Sequence, residues 1–192
     1  MTVTPIEVEF KFAVDDLEPV RLTLASLQAT PGRVVQHRDC YFNDPLRNYA
    51  EADIALRLRS SGSRYWVTYK GPPWDDPAKI RQEVEMPLAD EVAAEQWRAI
   101  MAGMGLEPAG EVHKRRELFS LEWQGSPVEV CLDTVEQLGS FVEVERIVEH
   151  REEVPLAKSQ LAHLAQELGM VQPILESYLD LLRQTSHHGE EE

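Results

Sequence analysis

The chain has 192 residues, of which 43% are hydrophobic and 28% are charged, the size and composition of one soluble globular domain. Its formal net charge of −15 argues against a protein that coats nucleic acid, because neutralising a phosphate backbone requires a basic surface. No apolar run reaches the roughly 18 residues of a membrane helix, and the N-terminus lacks a secretion signal. We therefore expect a cytoplasmic protein with neither a membrane nor a nucleic acid polymer as its partner.

The first half of the chain is predicted to contain strands and one helix. Residues 6–12 alternate apolar and charged side chains with a period of two, which is typical of a half-buried strand. The helix that follows is predicted to be capped by Asp15 or Asp16 and to end at Pro31-Gly32. A hairpin turn is predicted at 60–63. The further strands are predicted over residues 33–43, 55–59, 65–70 and 79–86.

The second half is predicted to add one helix, three strands and two closing helices. A helix begins after Asp90, and strands are expected over residues 112–123, 128–133 and 141–148. Pro155 and Pro173 each suit the first turn of a helix, and the last helix is expected to run through Leu182. About eight strands in a mostly hairpin-connected order predict an α+β domain built on an antiparallel sheet or a closed barrel.

Ionisable side chains share one face of strand after strand, and the two charges are separated along the chain. Acidic residues concentrate on the first and last strands, whereas basic residues concentrate on the middle ones. Each face alone is typical of the solvated side of a sheet, but a solvated side usually mixes both charges freely. If the barrel closes, its first and last strands meet, and four carboxylates form one cluster. These are Glu7, Glu9, Glu143 and Glu145.

Such a cluster predicts a divalent metal site beside a phosphate site. Four carboxylates in one recess repel each other unless a cation lies between them. Mg²⁺ and Mn²⁺ take oxygen ligands of this kind, usually while also contacting substrate phosphates. Closure also brings together more basic residues than one carboxylate needs, and this number suits a chain of phosphates. They are Lys11, Arg57, Arg59, Lys70, Arg81, Lys114 and Arg116.

Other chemistries have little support in the sequence. It contains no glycine-rich P-loop, no dinucleotide fingerprint and no His-Glu-x-x-His motif. For the scattered histidines we expect surface or packing roles rather than a zinc site; they include His37, His113, His150 and His163. Trp66 and Trp74 are able to stack on a ring, but we expect Trp66 to pack in the core and Trp74 to lie in a loop.

The segment Glu7-Val8-Glu9-Phe10-Lys11 resembles the Glu-x-Glu-x-Lys signature of the CYTH superfamily, also called the triphosphate tunnel metalloenzymes. The resemblance continues in the family's order through residues 39–42, 56–59, 68–72, 81–83, 114–116, 132–133 and 138–145, and so covers most of the chain. It implies one CYTH-like domain over residues 1–184, followed by a flexible acidic tail over residues 185–192. The implied fold is an eight-stranded antiparallel closed β-barrel, a triphosphate tunnel, with helices packed outside.

The resemblance also implies a role for each site residue. Glu7, Glu9 and Glu143 would be ligands of Mg²⁺ or Mn²⁺, with Asp133 and Glu145 assisting in metal or water positioning. The seven basic residues would hold the phosphates of a small-molecule triphosphate. The residues that we predict to be catalytic are Glu7, Glu9, Lys11, Asp133 and Glu143.

Two reactions and one non-catalytic role stay open. The ending at 177–182 resembles that of class IV adenylate cyclases, which convert ATP to cyclic AMP and pyrophosphate, but hydrolase branches have similar endings. Glu145 keeps hydrolysis of tripolyphosphate, thiamine triphosphate or a nucleoside triphosphate open, since that position is not acidic in every cyclase-like member. Asn43 replaces an aspartate found in many relatives. The third role is a polyphosphate or nucleotide sensor, and the oligomeric state is open, a homodimer included.

Overall fold

The computed structural model describes residues 5–74 and 78–188, and the bounds below refer to these ranges. The strands are β1 (Ile6–Val14), β2 (Thr30–Asn43), β3 (Ala55–Ser61), β4 (Arg64–Lys70), β5 (Lys79–Leu88), β6 (Glu107–Trp123), β7 (Ser126–Val135) and β8 (Gly139–Val148). The helices are α1 (Glu18–Ser26), α2 (Glu91–Gly103), α3 (Val154–Glu167) and α4 (Tyr178–His188).

The strands pair antiparallel and close into one barrel in the order β1-β5-β4-β3-β2-β6-β7-β8. Closure depends on β1, which pairs with β5 on one side and with β8 on the other. The predicted α+β fold with an eight-stranded closed barrel is therefore confirmed. In a closed barrel every second side chain of a strand points inward, so the period-two pattern of each strand decides what lines the interior.

The hydrophobic core lies outside the barrel, because the inward faces are charged. The outward side chains Val8 and Phe10 of β1 are buried beneath α1 and α3, which contribute Leu24 and Leu161 to the same cluster. On the far side, α2 packs Trp97 edge-on against Phe42 of β2 at 4.9 Å between ring centroids. Burying a side chain such as Leu161 fully contributes about 1.5 to 3 kcal/mol, so this outer layer stabilises the barrel while leaving its interior free for polar groups.

The start of α2 and the β3–β4 turn follow the sequence prediction. The carboxylate of Asp90 accepts a hydrogen bond from the backbone NH of Ala93 at 2.9 Å and so caps α2. The two strands meet in a tight turn in which Gly62 has a φ of +61°. That left-handed conformation is disfavoured for residues with a side chain, which explains the glycine at this position.

Two proline-based boundary predictions are wrong. Helix α1 ends at Ser26, where Gln28 adopts a left-handed φ of 59° and the NH of Ala29 bonds back to the carbonyl of Leu24. Pro31-Gly32 lies within β2, at an irregularity in its pairing with β6. The residue whose backbone conformation ends the helix is therefore a glutamine, which the search for proline and glycine missed.

Pro173 does not begin a helix either. The NH of Ile174 donates to the carbonyl of Lys11 in β1, and α4 begins at Tyr178. Ser177 sets this start, because its hydroxyl accepts from the NH of Asp180 at 3.2 Å and donates to the Asp180 carboxylate at 2.6 Å.

Helix α4 continues through residues 185–188, which the sequence predicts to belong to the flexible tail, whereas residues 189–192 lie outside the described residues. The division into a domain ending at 184 and a tail stays a prediction. Each helix within 5–74 and 78–188 is too short or too polar to cross a lipid bilayer.

Candidate active site

The barrel encloses a cavity of about 640 Å³, a volume typical of ligand sites. The strands bring all the predicted site residues but one to its wall: Glu7, Glu9, Lys11, Arg57, Arg59, Lys70, Arg81, Lys114, Arg116, Glu143 and Glu145. The exception is Asp133, which is fully buried behind the lining. The alternation of the strands therefore predicted the composition of the interior.

Three glutamates form an acidic cluster on β1 and β8. The register places Glu9 opposite Glu145, and Glu7 lies two residues earlier on the same face of β1. Carboxylate oxygens of the three residues lie within 4.8 Å of one another. Burial raises the pKa of Glu9, and the neighbouring Glu143 and Glu7 raise it further. Burial also raises the pKa of Glu145 well above its usual value.

This cluster has the properties of a divalent cation site. Among the residues that the structure describes, Glu7 Oε2 is a buried oxygen without a hydrogen-bond partner. Lys70 and Arg81 already compensate part of the Glu7 charge, because Lys70 Nζ lies 2.5 Å from Glu7 Oε1 and Arg81 Nε lies 3.7 Å from Glu7 Oε2. A bound metal would add the hydrogen-bond-distance partner that Oε2 lacks. Hard oxygen donors at this spacing suit Mg²⁺ or Mn²⁺. The donor set therefore fits the predicted metal, and Glu7, Glu9 and Glu145 are the residues placed to hold it.

Asp133 and Glu143 also pair with cations of the barrel. Asp133 accepts hydrogen bonds from Arg116 at 2.7 and 2.6 Å, from Lys114 at 2.8 Å and from the hydroxyl of Tyr178 at 3.0 Å. Burial alone would raise the pKa of Asp133, but Arg116 and Lys114 outweigh burial and lower it. Arg116 also bonds to Glu143, and the pKa of Glu143 falls well below its usual value for the same reason. These two carboxylates orient cations, and their role as metal ligands stays a prediction.

Asp39 of β2 is a buried acidic residue to which the sequence analysis gave no role. Its carboxylate accepts two hydrogen bonds from Arg59, at 2.6 and 2.7 Å, and lies 3.6 Å from Arg57. Burial would raise the pKa of Asp39, yet these guanidinium groups lower it far below the usual range. Asp39 lies on the same face of β2 as Tyr41, which lines the cavity, so the period of two could have assigned Asp39 to the interior.

One end of the cavity is covered by α4 and by residues 44–54. Lys11 donates a hydrogen bond to the carbonyl of Glu176, and its ammonium lies 4.6 Å from the centre of the Tyr178 ring. Lys114 approaches the same ring at 4.9 Å. Leu179 packs so closely on Gly110 that a Cβ there would meet Leu179 Cδ1 at 2.6 Å. Lys11 and Lys114 therefore both contact the start of α4 at this end of the cavity.

At the same end, the carboxylate of Asp53 forms ion pairs with two basic residues of β5. It lies 3.0 Å from Lys79 and 3.4 Å from Arg81, and its φ of 48° is left-handed. Asn43 helps to shape the segment, since its side-chain oxygen accepts a hydrogen bond from the NH of Tyr49 at 2.7 Å. Lys79 shares the inward face of Arg81, as the sequence pattern indicated, but was not included among the predicted site residues.

The prediction of a core position for Trp66 is wrong, because its side chain lines the cavity. Trp66 has the same parity as Thr68 and Lys70, and that parity was the signal. Trp74 does lie in a loop, where the guanidinium of Arg151 stacks over it at 4.2 Å.

The cavity wall also includes His37, for which we expected a surface or packing role. Its Nδ1 is buried and has no hydrogen-bond partner within the described ranges. Burial lowers the pKa of His37 to about 3, and the positive charge of Arg59 adds to the shift. The candidate metal-binding groups of the described residues contain no histidine.

Comparisons with known proteins agree with this architecture. A family model described as the CYTH domain matches residues 5–173. The protein named "Putative adenylate cyclase MJ0240" of Methanocaldococcus jannaschii is 32% identical over 178 residues, which cover 92% of this chain and 98% of that protein. Adenylate cyclase CyaB of Aeromonas hydrophila is 28% identical, with coverages of 93% and 90%.

Two solved structures show the same fold. The PH1819 protein of Pyrococcus horikoshii has a TM-score of 0.80 and 32% identity, covering 94% of this chain and 99% of its own. HpAC1 of Hippeastrum, an adenylyl cyclase candidate described as having a dominant triphosphatase activity, has a TM-score of 0.66 with 94% and 96% coverage. Its identity of 16% limits that likeness to the fold.

Proposed function

The chain belongs to the CYTH domain family, and from that premise we propose that it is a divalent-metal-dependent enzyme that acts on a small-molecule triphosphate inside its barrel. The observation that carries this proposal is the juxtaposition of two features in one cavity. A cluster of three glutamates lies beside a wall of buried lysines and arginines. An anion binder needs only the second feature, whereas phosphoryl transfer uses both.

Glu7, Glu9 and Glu145 would hold Mg²⁺ or Mn²⁺. When bound, the metal supplies Lewis-acid activation of the attacking oxygen and neutralises charge on the phosphates. The chain's own part is to hold these carboxylates close together before the metal arrives. Neighbouring strands do so through fixed register, which places Glu9 directly across from Glu145.

The basic residues would hold the phosphate oxygens. Arg57 and Arg81 each have a buried Nε that lacks a hydrogen-bond acceptor within the described ranges, so both have a donor to offer. Arg59 and Arg116 are oriented by Asp39 and Asp133, which fixes the direction of their remaining N–H groups. Prealigned donors stabilise the charge that develops on the transferred phosphoryl group without reorganising during the reaction.

The reaction that we propose first is the cyclisation of ATP, supported by the names of the two curated relatives and the 177–182 ending. The ribose 3′-oxygen would bond to the α-phosphorus while the bond from that phosphorus to the bridging oxygen of the β-phosphate breaks. Pyrophosphate leaves with that electron pair, and the hydroxyl proton passes to a carboxylate of the acidic cluster. Cyclic AMP and pyrophosphate are the products.

The second candidate is hydrolysis of a terminal phosphate. It is favoured by Glu145, whose carboxylate completes the acidic cluster at a position where not every cyclase-like member is acidic. The activity described for HpAC1 adds support through the shared fold alone. Here water would attack the terminal phosphorus of tripolyphosphate, thiamine triphosphate or a nucleoside triphosphate while the bond from that phosphorus to its bridging oxygen breaks. The shortened phosphate chain leaves with that electron pair, the water proton passes to a carboxylate of the acidic cluster, and orthophosphate is released.

One experiment separates these functions. Purified protein is incubated with ATP and, separately, with tripolyphosphate, in Mg²⁺ or Mn²⁺, and the products are identified by chromatography and phosphorus NMR. Cyclic AMP with pyrophosphate supports the cyclase, and orthophosphate supports the hydrolase. Tight binding without turnover would instead indicate the non-catalytic sensor, and neither binding nor turnover would refute the proposal. Glu122→Gln, an exposed change outside the cavity, is the matched control.

A further inference from the structure

Lys70 connects the acidic cluster to the wall of basic residues. It lies at the C-terminal end of β4, and its buried side chain reaches past the neighbouring strand β5 to β1. There its ammonium lies 2.5 Å from Glu7 Oε1 and 3.8 Å from Glu9 Oε2. Glu83, its cross-strand partner on β5, approaches the same ammonium at 3.1 Å. One ammonium is therefore shared by three carboxylates, two of which belong to the proposed metal site.

A metal in this cluster and the ammonium of Lys70 need the same carboxylates. Mg²⁺ binds carboxylate oxygens directly, so an ion held by Glu7 and Glu9 would lie only a few ångströms from the present position of Lys70 Nζ. Two positive charges at such a separation repel each other strongly in a buried site. A divalent ion outcompetes an ammonium because it carries twice the charge, whereas a monovalent ion has no such advantage.

Lys70 is able to move aside without a change in the backbone. A lysine carries a compact charge on a flexible four-carbon stem, so rotation of its side-chain bonds is enough to move the ammonium. Glu83 gives the displaced ammonium a remaining partner, because it lies on the strand next to β4 and outside the acidic cluster. Lys70 and Glu83 both line the cavity, so the direction away from β1 leads into its open volume.

We propose that Lys70 is an internal competitor of the metal: a divalent cation displaces its ammonium from Glu7 and Glu9, and the ammonium then turns into the cavity beside Glu83. The inference rests on the proposed function, because it takes the metal site as given. It adds a selectivity, since a cation must be divalent to replace the ammonium. It also makes Lys70 a positioning residue of the metal site, because it acts on the metal through the carboxylates.

The first test measures the affinity of the protein for Mn²⁺ alone by electron paramagnetic resonance, at mildly alkaline pH and without phosphate. Lys70→Met removes the competing charge and keeps most of the side-chain length. Lys79→Met is the matched control, because Lys79 is a buried lysine of the same cavity that pairs with Asp53 at 3.0 Å. We expect Lys70→Met to tighten Mn²⁺ binding by at least about tenfold, since the lost charge is in direct contact, and Lys79→Met by less than about threefold.

The outcomes of this titration separate the inference from the proposed function. If Lys70→Met binds Mn²⁺ no more tightly than the wild type, or gains no more than Lys79→Met, the competition is refuted while the proposed metal site stands. If the wild-type protein binds neither Mn²⁺ nor Mg²⁺, the proposed function fails and the inference fails with it. Circular dichroism checks the folding of each variant.

A second measurement needs no variant. An ammonium held by carboxylates is protected from a small acetylating reagent, whereas one that faces the cavity is open to it. Peptide mass spectrometry follows acetylation of Lys70 in the wild-type protein, with Lys158 of α3, outside the cavity, as the internal reference. We expect saturating Mg²⁺ to raise the ratio of Lys70 to Lys158 acetylation several-fold, and potassium chloride of equal ionic strength to leave it unchanged. Equal ratios in the two salts contradict the displacement, whether or not Lys70→Met folds.

Discussion

The hydroxyl of Tyr178, in the first turn of α4, donates a hydrogen bond to Oδ2 of Asp133 in β7 across 3.0 Å. The same carboxylate holds Lys114 and Arg116. One buried group therefore connects the C-terminal helix to two predicted phosphate ligands. The position of α4 and the orientation of those cations are consequently expected to change together.

Replacing Tyr178 by Phe tests this connection. The phenyl ring keeps the edge-on contact with Phe141 and the ring face near Lys11, and only the hydroxyl is lost. We expect the free energy of unfolding to fall by about 1 to 2 kcal/mol, since the acceptor is charged and buried. Urea denaturation measures this change. Tyr69→Phe, at a 39% exposed tyrosine on the outer face of β4, should cost far less. Equal losses in the two variants would contradict the connection.

Asp133→Asn distinguishes a positioning residue from a metal ligand. The amide keeps the shape but removes the nearest carboxylate charge of Lys114 and one of the two that pair with Arg116, so we expect a loss of stability of about 3 kcal/mol. Titration with Mn²⁺ followed by electron paramagnetic resonance should show a metal affinity within a few-fold of the wild type. A large loss of metal affinity in a folded variant would restore Asp133 as a ligand. Glu111→Gln, which breaks a surface pair with Arg38, should cost at most about 1 kcal/mol.

For Glu9→Gln we expect the reverse of the Asp133→Asn result: stability is kept and metal affinity is lost. It removes one charge from the acidic cluster, so it should not destabilise the metal-free protein. We expect Mn²⁺ affinity to fall at least about tenfold, together with the loss of metal-dependent turnover. The same resonance titration and a thermal melt measure the two effects. Wild-type metal affinity in this variant would remove Glu9 from the proposed metal site.

Asp53 is expected to compete with the substrate. Its carboxylate pairs with Lys79 and Arg81, the cations that a terminal phosphate would use. Asp53→Asn should therefore tighten tripolyphosphate binding by about 3- to 10-fold, equivalent to roughly 1 kcal/mol, as measured by calorimetry. Glu51→Gln, at an exposed position on the same segment, is the control. Weaker binding by Asp53→Asn would mean that Asp53 holds the cations in place for the substrate.

His37 should report the arrival of negative charge. Its pKa is about 3 because of burial first and then the positive charge of Arg59, with Lys114 and Arg116 acting in the same direction and Asp39 against them. A bound triphosphate neutralises these cations, so the pKa of His37 should rise on binding. Nuclear magnetic resonance of the ring protons against pH measures it, with sodium chloride of equal ionic strength as the control. An unchanged pKa at saturation would place the phosphates elsewhere.

The same pKa has a consequence for stability without ligand. An unfolded histidine titrates near pH 6.5, whereas the folded one stays neutral to about pH 3, so the unfolded state binds more protons between these values. This contribution is fully present above about pH 6.5 and is lost as the pH falls toward 3. His37→Gln should lose less stability than the wild type over that window in urea denaturation. Identical pH profiles would show that His37 is solvated.

The sequence predicted the interior better than the details of the site. In a closed barrel the period of two is enough to assign Glu9 or Arg59 to the inside. The period of two does not tell which carboxylates pair with neighbouring cations. That pairing depends on the register between adjacent strands, which places Asp133 beside Arg116. Tyr178 and Asp53 come from a helix and a loop that cover the barrel end, and no periodicity connects them to it. Trp66 shares the inward parity of Thr68 and Lys70, and this parity, rather than its aromatic character, decides its position.

Helix α4 covers one end of the barrel, so the two ends differ in how accessible they are to a ligand. With Leu179 seated against Gly110, α4 narrows this end of the cavity, so we expect a substrate to enter from the opposite end. Both products of cleavage are then expected to leave by the same end through which the substrate entered. With release through that one end, the fragment nearer α4 leaves last, so it is this deeper fragment that is expected to compete with fresh substrate for the free enzyme.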